Sequence, residues 1–258
     1  MGLLQVDRVG EDVRVLTLDN ERKRNAVDPD LLGAIVSACE EANAAQVRCL
    51  VLTGRGDKAF CAGYDLEALA RTRPDDPLPD AALQVALSAL EHAQAPVIAA
   101  INGAAYGAGA ELSVACDLRI AAAGARIAMP PAKLGIIYAP AGLQRFVELL
   151  GLSQAKRLFY TAEPVEAAEA RSIGLVDEVV EPGRALDRAL ELAASIAANS
   201  PVSVQGMKRL FLLLRRRELQ PAVMAEVEAL RRASFHCEDA REGIAAVRER
   251  RKPHFTGR

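Results

Sequence analysis

Residues 96–117 read PVIAAINGAAYGAGAELSVACD, and the fold turns on how this run divides. Pro96 to Ile101 is an apolar, β-branched run of strand length. Gly103, Gly107 and Gly109 follow. A small, apolar, helix-like segment then carries a single carboxylate, Glu111. A buried strand that passes through a glycine turn into a helix is the repeating unit of an α/β fold. The first amides of such a helix lack acceptors, and with the helix dipole behind them they favour a developing negative charge. A carboxylate among small apolar side chains is costly to ionise, so its proton affinity rises. That suits proton transfer near neutral pH.

The pattern extends in both directions. Val13–Leu18, Cys49–Leu52 and Leu175–Val180 read as further strands. Asp28-Pro29 offers a cap and a first-turn proline, followed by the helical stripe Leu31, Leu32, Ile35, Val36 and Cys39. A helix over Ala167–Ile173 should close at Gly174. The last third changes character. Helices are predicted from Ser200-Pro201 to about Arg217 and from Pro221 to about Phe235, with a last one capped by Asp239 and Glu242 and stopped near Pro253. The chain is therefore expected to have an α/β core over 1–198 and a helical unit over 199–258 that packs on a neighbour. The segment RTRPDDPLPDAA, 71–82, reads as a loop.

Composition removes several classes. At 51% hydrophobic and 26% charged residues the chain is that of an ordinary globular protein, and a net charge of −2 gives no bulk attraction to nucleic acid or anionic lipid. The five cysteines, Cys39, Cys49, Cys61, Cys116 and Cys237, make no CxxC pair, which points to buried free thiols in a reducing compartment. No signal peptide or membrane-length apolar run is visible, so a cytoplasmic protein is expected. Three histidines, His92, His236 and His254, without HExxH predict no metal site, and GxSxG is absent. Gly107-Ala108-Gly109 begins like a dinucleotide fingerprint, but Leu112 stands where its third glycine belongs.

A second stretch, KAFCAGYDL (58–66), also follows a strand, VRCLVLTG, and again sets Ala-Gly before an amide that can face a cleft. Two such amides are what an oxyanion hole requires. Together with AINGAAYGAGAELSVACDLRIAA, DNERKRNAVD, LGLSQAKRLFYTAEPVEAAEARSIGLVDEVV and KPHFTGR, this pair closely resembles the crotonase, or enoyl-CoA hydratase/isomerase, superfamily over nearly the whole chain. The resemblance implies a spiral of ββα units with a C-terminal helical trimerisation domain, assembled as a trimer or a dimer of trimers. It also implies an acyl-CoA thioester substrate with no other cofactor. By motif position the oxyanion amides are those of Tyr64 and Ala108, where the family often has glycine in place of Ala108. Alanine serves if its φ is negative. Arg24, Ala26, Ala62, Asp65 and Leu66 match positions that line the CoA site. Lys252 and Phe255 are candidates to reach a neighbour's CoA. Glu111 matches one of the two catalytic glutamates of the hydratases.

The resemblance breaks at PPAKLG (130–135), where Pro131 replaces the second glutamate of the hydratases. Proline can neither give nor accept a proton. Tyr138, three residues beyond Gly135, resembles a residue of the family's small acyl-CoA decarboxylases, in which a phenol orients a malonyl-type carboxylate; those carry histidine at the Tyr64 position. The leading expectation is an enoyl-CoA hydratase-like lyase using Glu111. The alternatives are a methylmalonyl- or ethylmalonyl-type decarboxylase using Tyr138, and a non-catalytic protein that binds CoA or RNA. Arg215-Arg216-Arg217 and Arg248–Lys252 would be the basic patches of an RNA binder. Their acidic neighbours favour solvated helix faces instead.

Overall fold

The structure is a computed structural model that describes residues 4–71, 73, 77–215, 225, 228–229, 232, 235–251 and 253. An antiparallel hairpin, β1 (Leu4–Val9) and β2 (Val13–Leu18), opens the chain, and α1 (Pro29–Ala44) follows. Asp28 caps α1, its carboxylate accepting from the Leu31 N–H at 2.9 Å, and Pro29 fills the first helical position. The predicted stripe is the buried face: Leu31, Leu32 and Ile35 have no exposed surface. Burial of such side chains contributes roughly 1.5–3 kcal/mol each.

Three ββα turns come next. The first is β3 (Cys49–Gly54), β4 (Ala59–Cys61), α2 (Leu66–Ala70) and α3 (Ala81–His92). The second is β5 (Val97–Ile101), β6 (Ala104–Tyr106) and α4 (Ala108–Ala115). The third is β7 (Leu118–Ala122), β8 (Arg126–Ala128) and α5 (Pro140–Thr161), which breaks at Gly151. After them come β9 (Val165–Glu166), α6 (Ala167–Ser172), β10 (Glu178–Val180), α7 (Ala185–Ala197), α8 (Pro201–Arg215) and α9 (Glu238–Arg248).

In each turn the first strand enters one sheet and the second enters another. The large sheet runs β1-β2-β3-β5-β7-β10, parallel beyond the opening hairpin, and the small one runs β4-β6-β8-β9. The chain therefore winds as the spiral of ββα units that the resemblance implied. One face of the large sheet meets α7 through Ala185, Ala189, Ala193 and Ala197, whose four-residue spacing makes a flat, close-packing stripe. Its other face shares the main core with α1, α3 and the small sheet.

Two expectations are corrected. The strand over Leu175–Val180 begins only at Glu178, because the N–H groups of Leu175 and Val176 are taken by the Ala170 carbonyl at the end of α6. The last helix is capped by Cys237, whose Sγ accepts from the Ala240 N–H at 3.3 Å, so Asp239 falls inside the first turn. Cys237 is also tied to the Gly135 carbonyl, which holds it at the cap. Within its own chain, α9 packs on the 131–134 turn and α2. The helix predicted from Pro221 lies largely outside the described residues, as do Arg216, Arg217, Lys252, His254, Phe255 and most of the 71–77 loop.

Candidate active site

The two glycine turns lie side by side because β4 and β6 are parallel neighbours, with Ala59 opposite Ala104 and Cys61 opposite Ala105. In the first turn Tyr64 bridges Val27. Both bonds of that bridge are made by Tyr64's neighbours: the Gly63 carbonyl accepts from Val27 N–H at 2.9 Å, and Asp65 N–H donates to the Val27 carbonyl at 2.8 Å. The N–H of Tyr64 itself therefore points away from Val27. In the second turn Gly107 precedes α4 at φ 53°, ψ −114°, a conformation that glycine alone adopts readily. Ala108 is the first helical residue, so its N–H has no acceptor within the helix. It is not among the residues of positive φ, which meets the condition for alanine here. The turns touch: a Cβ on Gly109 would collide with the Cys61 carbonyl and lie 2.8 Å from the Cys61 Cβ.

Both turns border a mainly apolar cavity of about 310 Å³, whose wall includes Tyr64, Ala108, Pro131, Tyr138, Phe235 and Val247. The last two come from the C-terminal segment, so the folding back of α9 completes the cavity. Pro131 stands in this wall, where a hydratase's second carboxylate was sought. A larger cavity of about 700 Å³ lies beside Arg8, Arg14, Arg48 and Gln205. None of the motif residues borders it; they gather at the smaller one.

Glu111, in the first turn of α4, has no exposed surface. Its Oε2 accepts from the Tyr138 hydroxyl. Its Oε1 accepts from Arg145 Nη1 at 2.9 Å and from Gln84 Nε2 at 3.3 Å. Burial raises the proton affinity of Glu111, and it prevails over the opposing pull of Arg145 and of the Tyr138 and Gln84 hydrogen bonds. Burial and the neighbouring carboxylate push the Tyr138 phenol well above its usual range. The Tyr138 ring is held by Phe159, with centroids 5.4 Å apart, and Phe159 meets Phe146 edge-on at 5.2 Å. Gly142 makes room for the pair: a Cβ there would lie 2.5 Å from Tyr138 Cε1 and 2.6 Å from Glu111 Oε1. The carboxylate thus meets the cavity through the phenol in its wall. Burial also raises Tyr64, to about 12.

Of the positions matched to a CoA site, Arg24 and Ala62 are joined by the Ala62 N–H to Arg24 carbonyl bond at 3.0 Å, and Ala26 adjoins the Val27 bridge. Ala62 and Leu66 line the cavity. The Asp65 carboxylate caps α2 through Glu67 N–H at 2.9 Å and accepts from Lys23 Nζ at 2.6 Å, so its charge is engaged locally. Glu67 is exposed, and His92 ends α3 on the surface. Sequence reasoning missed Gln84, Glu91 and Arg145. Gln84 and Glu91 sit seven residues apart in the otherwise apolar run AALQVALSALEHAQAP, a spacing that places both on one helix face. Among the described residues no cluster of potential metal ligands occurs, and no helix is long and apolar enough to cross a membrane.

The sequence profile of the enoyl-CoA hydratase/isomerase family matches residues 8–258. A putative enoyl-CoA hydratase/isomerase of Bacillus subtilis is 37% identical over 249 residues, covering 96% of this chain and 95% of that protein. A short-chain-enoyl-CoA hydratase of Clostridium acetobutylicum is 35% identical over 242 residues, covering 93% and 92%. Among solved structures, methylmalonyl-CoA decarboxylase in complex with 2-nitronate-propionyl-CoA superposes with a TM-score of 0.91 at 28% identity, over 99% of each chain.

Proposed function

The chain belongs to the enoyl-CoA hydratase/isomerase family, and from that premise we propose an acyl-CoA lyase of the enoyl-CoA hydratase type that works through a thioester enolate. The observation that carries this reading is the pair of abutting turns beside a cavity walled by Tyr138, whose hydroxyl donates to the buried Glu111 behind it. The Tyr64 and Ala108 amides hold the thioester oxygen. As the water oxygen bonds to Cβ, the π pair moves onto the thioester oxygen, where those amides stabilise it. The water gives up a proton and Cα gains one, and the Tyr138–Glu111 pair is the proton-exchanging group at the wall. Each oxyanion donor contributes roughly 2.7–4 kcal/mol to such a transition state. Arg24, Ala26, Ala62, Asp65 and Leu66 border the path of the CoA moiety, and the thioester itself is the only carrier group the chemistry uses.

Decarboxylation is a second reading, favoured by Pro131 in the wall and by a phenol as the wall's link to Glu111. There the Cα–carboxylate bond breaks, CO₂ leaves, and the electron pair enters the same enolate before Cα is protonated. The mass of the product separates the two. Crotonyl-CoA that gains one water supports the hydratase reading. Methylmalonyl-CoA that loses CO₂ while crotonyl-CoA stays intact supports the second, and both substrates left intact would reject both.

The exposed apolar residues Val202, Met207, Leu210 and Phe211 of α8 support assembly as a homotrimer or a dimer of trimers. Light scattering that returned the mass of one chain would reject it. The buried free thiols are in keeping with a cytoplasmic location.

A further inference from the structure

Behind Glu111 lies a second glutamate that the reaction scheme above leaves unused. Glu91, at the far end of α3, takes a two-bond fork from Arg145: Nε to Oε1 at 2.9 Å and Nη2 to Oε2 at 3.0 Å. Arg145 gives Glu111 only Nη1, at 2.9 Å, and shares that nitrogen with Gln84 Oε1 at 3.0 Å. All three charged groups are buried: Glu91 is 9% exposed, Arg145 7% and Glu111 0%. Among the described residues the cluster therefore holds two carboxylates and one guanidinium in a water-poor interior. Two carboxylates around one cation do not both ionise without cost. The bidentate partner keeps the cation better, so the other takes up a proton first.

We infer that Glu91, remote from the acyl cavity, is a positioning residue that sets through Arg145 how readily Glu111 gains and loses its proton. This rests on the reading of Glu111 as the proton-exchanging carboxylate. Among the described residues, the groups facing Glu111 are few. From α3 come Asp80 at its N-terminus and Gln84, from α5 Arg145, and from the preceding loop Tyr138. The strands packed on α4 bring only Cys61 and Tyr106 as titratable groups. The Glu91–Arg145 end opens on a separate cavity of about 420 Å³ that also holds Asp117, Arg119, Glu148 and Lys208. Of these, Lys208 is paired with Asp117 at 2.8 Å and Arg119 with Asp177 at 2.9 Å.

Two substitutions should move Glu111 in opposite directions, which a merely structural role would not do. Glu91→Gln removes the competing charge and leaves Arg145 to Glu111, so Glu111 should ionise at lower pH. Arg145→Gln removes the cation, so it should ionise at higher pH. The full-length protein is labelled with carboxyl-carbon-13 glutamate and titrated by NMR, the Glu111 signal being the one lost in Glu111→Gln. Each shift should be about one pH unit or more, and Glu91→Asp should restore the wild-type value. No shift in Glu91→Gln, or shifts of the same sign, would overturn the inference. If Arg145→Gln does not fold, the contrast of Glu91→Gln with Glu91→Asp decides. The titration needs no substrate. Opposite shifts in an inactive protein would uphold this role and reject the acyl-CoA reading, whereas unmoved titrations in an active one would do the reverse.

Discussion

Glu111 has a carboxylate that folding places out of water, and most of its behaviour follows from that. Glu111→Gln keeps the shape and the Tyr138 contact but cannot exchange a proton, so turnover should fall about 10²–10⁴-fold. Acyl-CoA binding by calorimetry should stay near wild type, and a variant with full turnover would remove Glu111 from the mechanism. The same substitution has a stability signature. Burial makes the folded protein hold the Glu111 proton more tightly than the unfolded chain does. Folding therefore loses stability as pH rises from the ordinary carboxylate range through the raised folded value. Denaturant titrations across that range should show Glu111→Gln gaining on wild type as pH rises; a constant gap would contradict the burial effect. Glu111 and Tyr138 were legible from their motifs. Arg145 was not, because nothing near it in the chain marks it as inward-facing; only the meeting of α3, α4 and α5 makes it a partner of Glu111.

At the scale of elements, the proposed oxyanion pair depends on two turns that touch, and Gly109 is where they do. Gly109→Ala would press a methyl group against the Cys61 carbonyl and push the turns apart. Overpacking of this kind costs about 1–3 kcal/mol, and the expected outcome is a folded protein of lower Tm with kcat reduced more than binding. Wild-type turnover in that variant would mean the turns need not abut. Asp28→Ala removes the cap of α1 and should cost about 0.5–2 kcal/mol by denaturant unfolding. α1 could be read from sequence because its cap, proline and stripe agree. The strands β4, β6 and β8 could not, since each has three residues and so no periodicity to read. They exist because β3, β5 and β7 deliver the chain to a second sheet, a consequence of topology. The cap at Cys237 was hidden for a similar reason: its anchor, the Gly135 carbonyl, is about a hundred residues away in the chain.

Across the whole molecule, the spiral buries four thiols and leaves Cys237 half-buried. Burial raises Cys39 to about 11 and Cys49 and Cys61 to about 12, and raises Cys116 also. At neutral pH these four are thiols, which react poorly. One thiol, Cys237, should therefore react with a maleimide in the native protein, and all five should react after denaturation; peptide mapping that found Cys61 labelled first would contradict the packing. The family and the alternation of strand and helix were legible along nearly the entire chain. The partner of α9 was not, since an amphipathic helix fits its own chain and a neighbour equally well. Chemistry is also decided at this scale, because the cavity draws on both glycine turns, the loop bearing Tyr138 and the C-terminal segment. The measurement that tests it most directly is the initial rate at which wild type and Glu111→Gln consume crotonyl-CoA, followed by loss of the enoyl-thioester absorbance. Rapid loss with the wild type alone is the expected result. Equal rates in the two proteins, or no loss with either, would contradict a hydratase-type lyase working through Glu111.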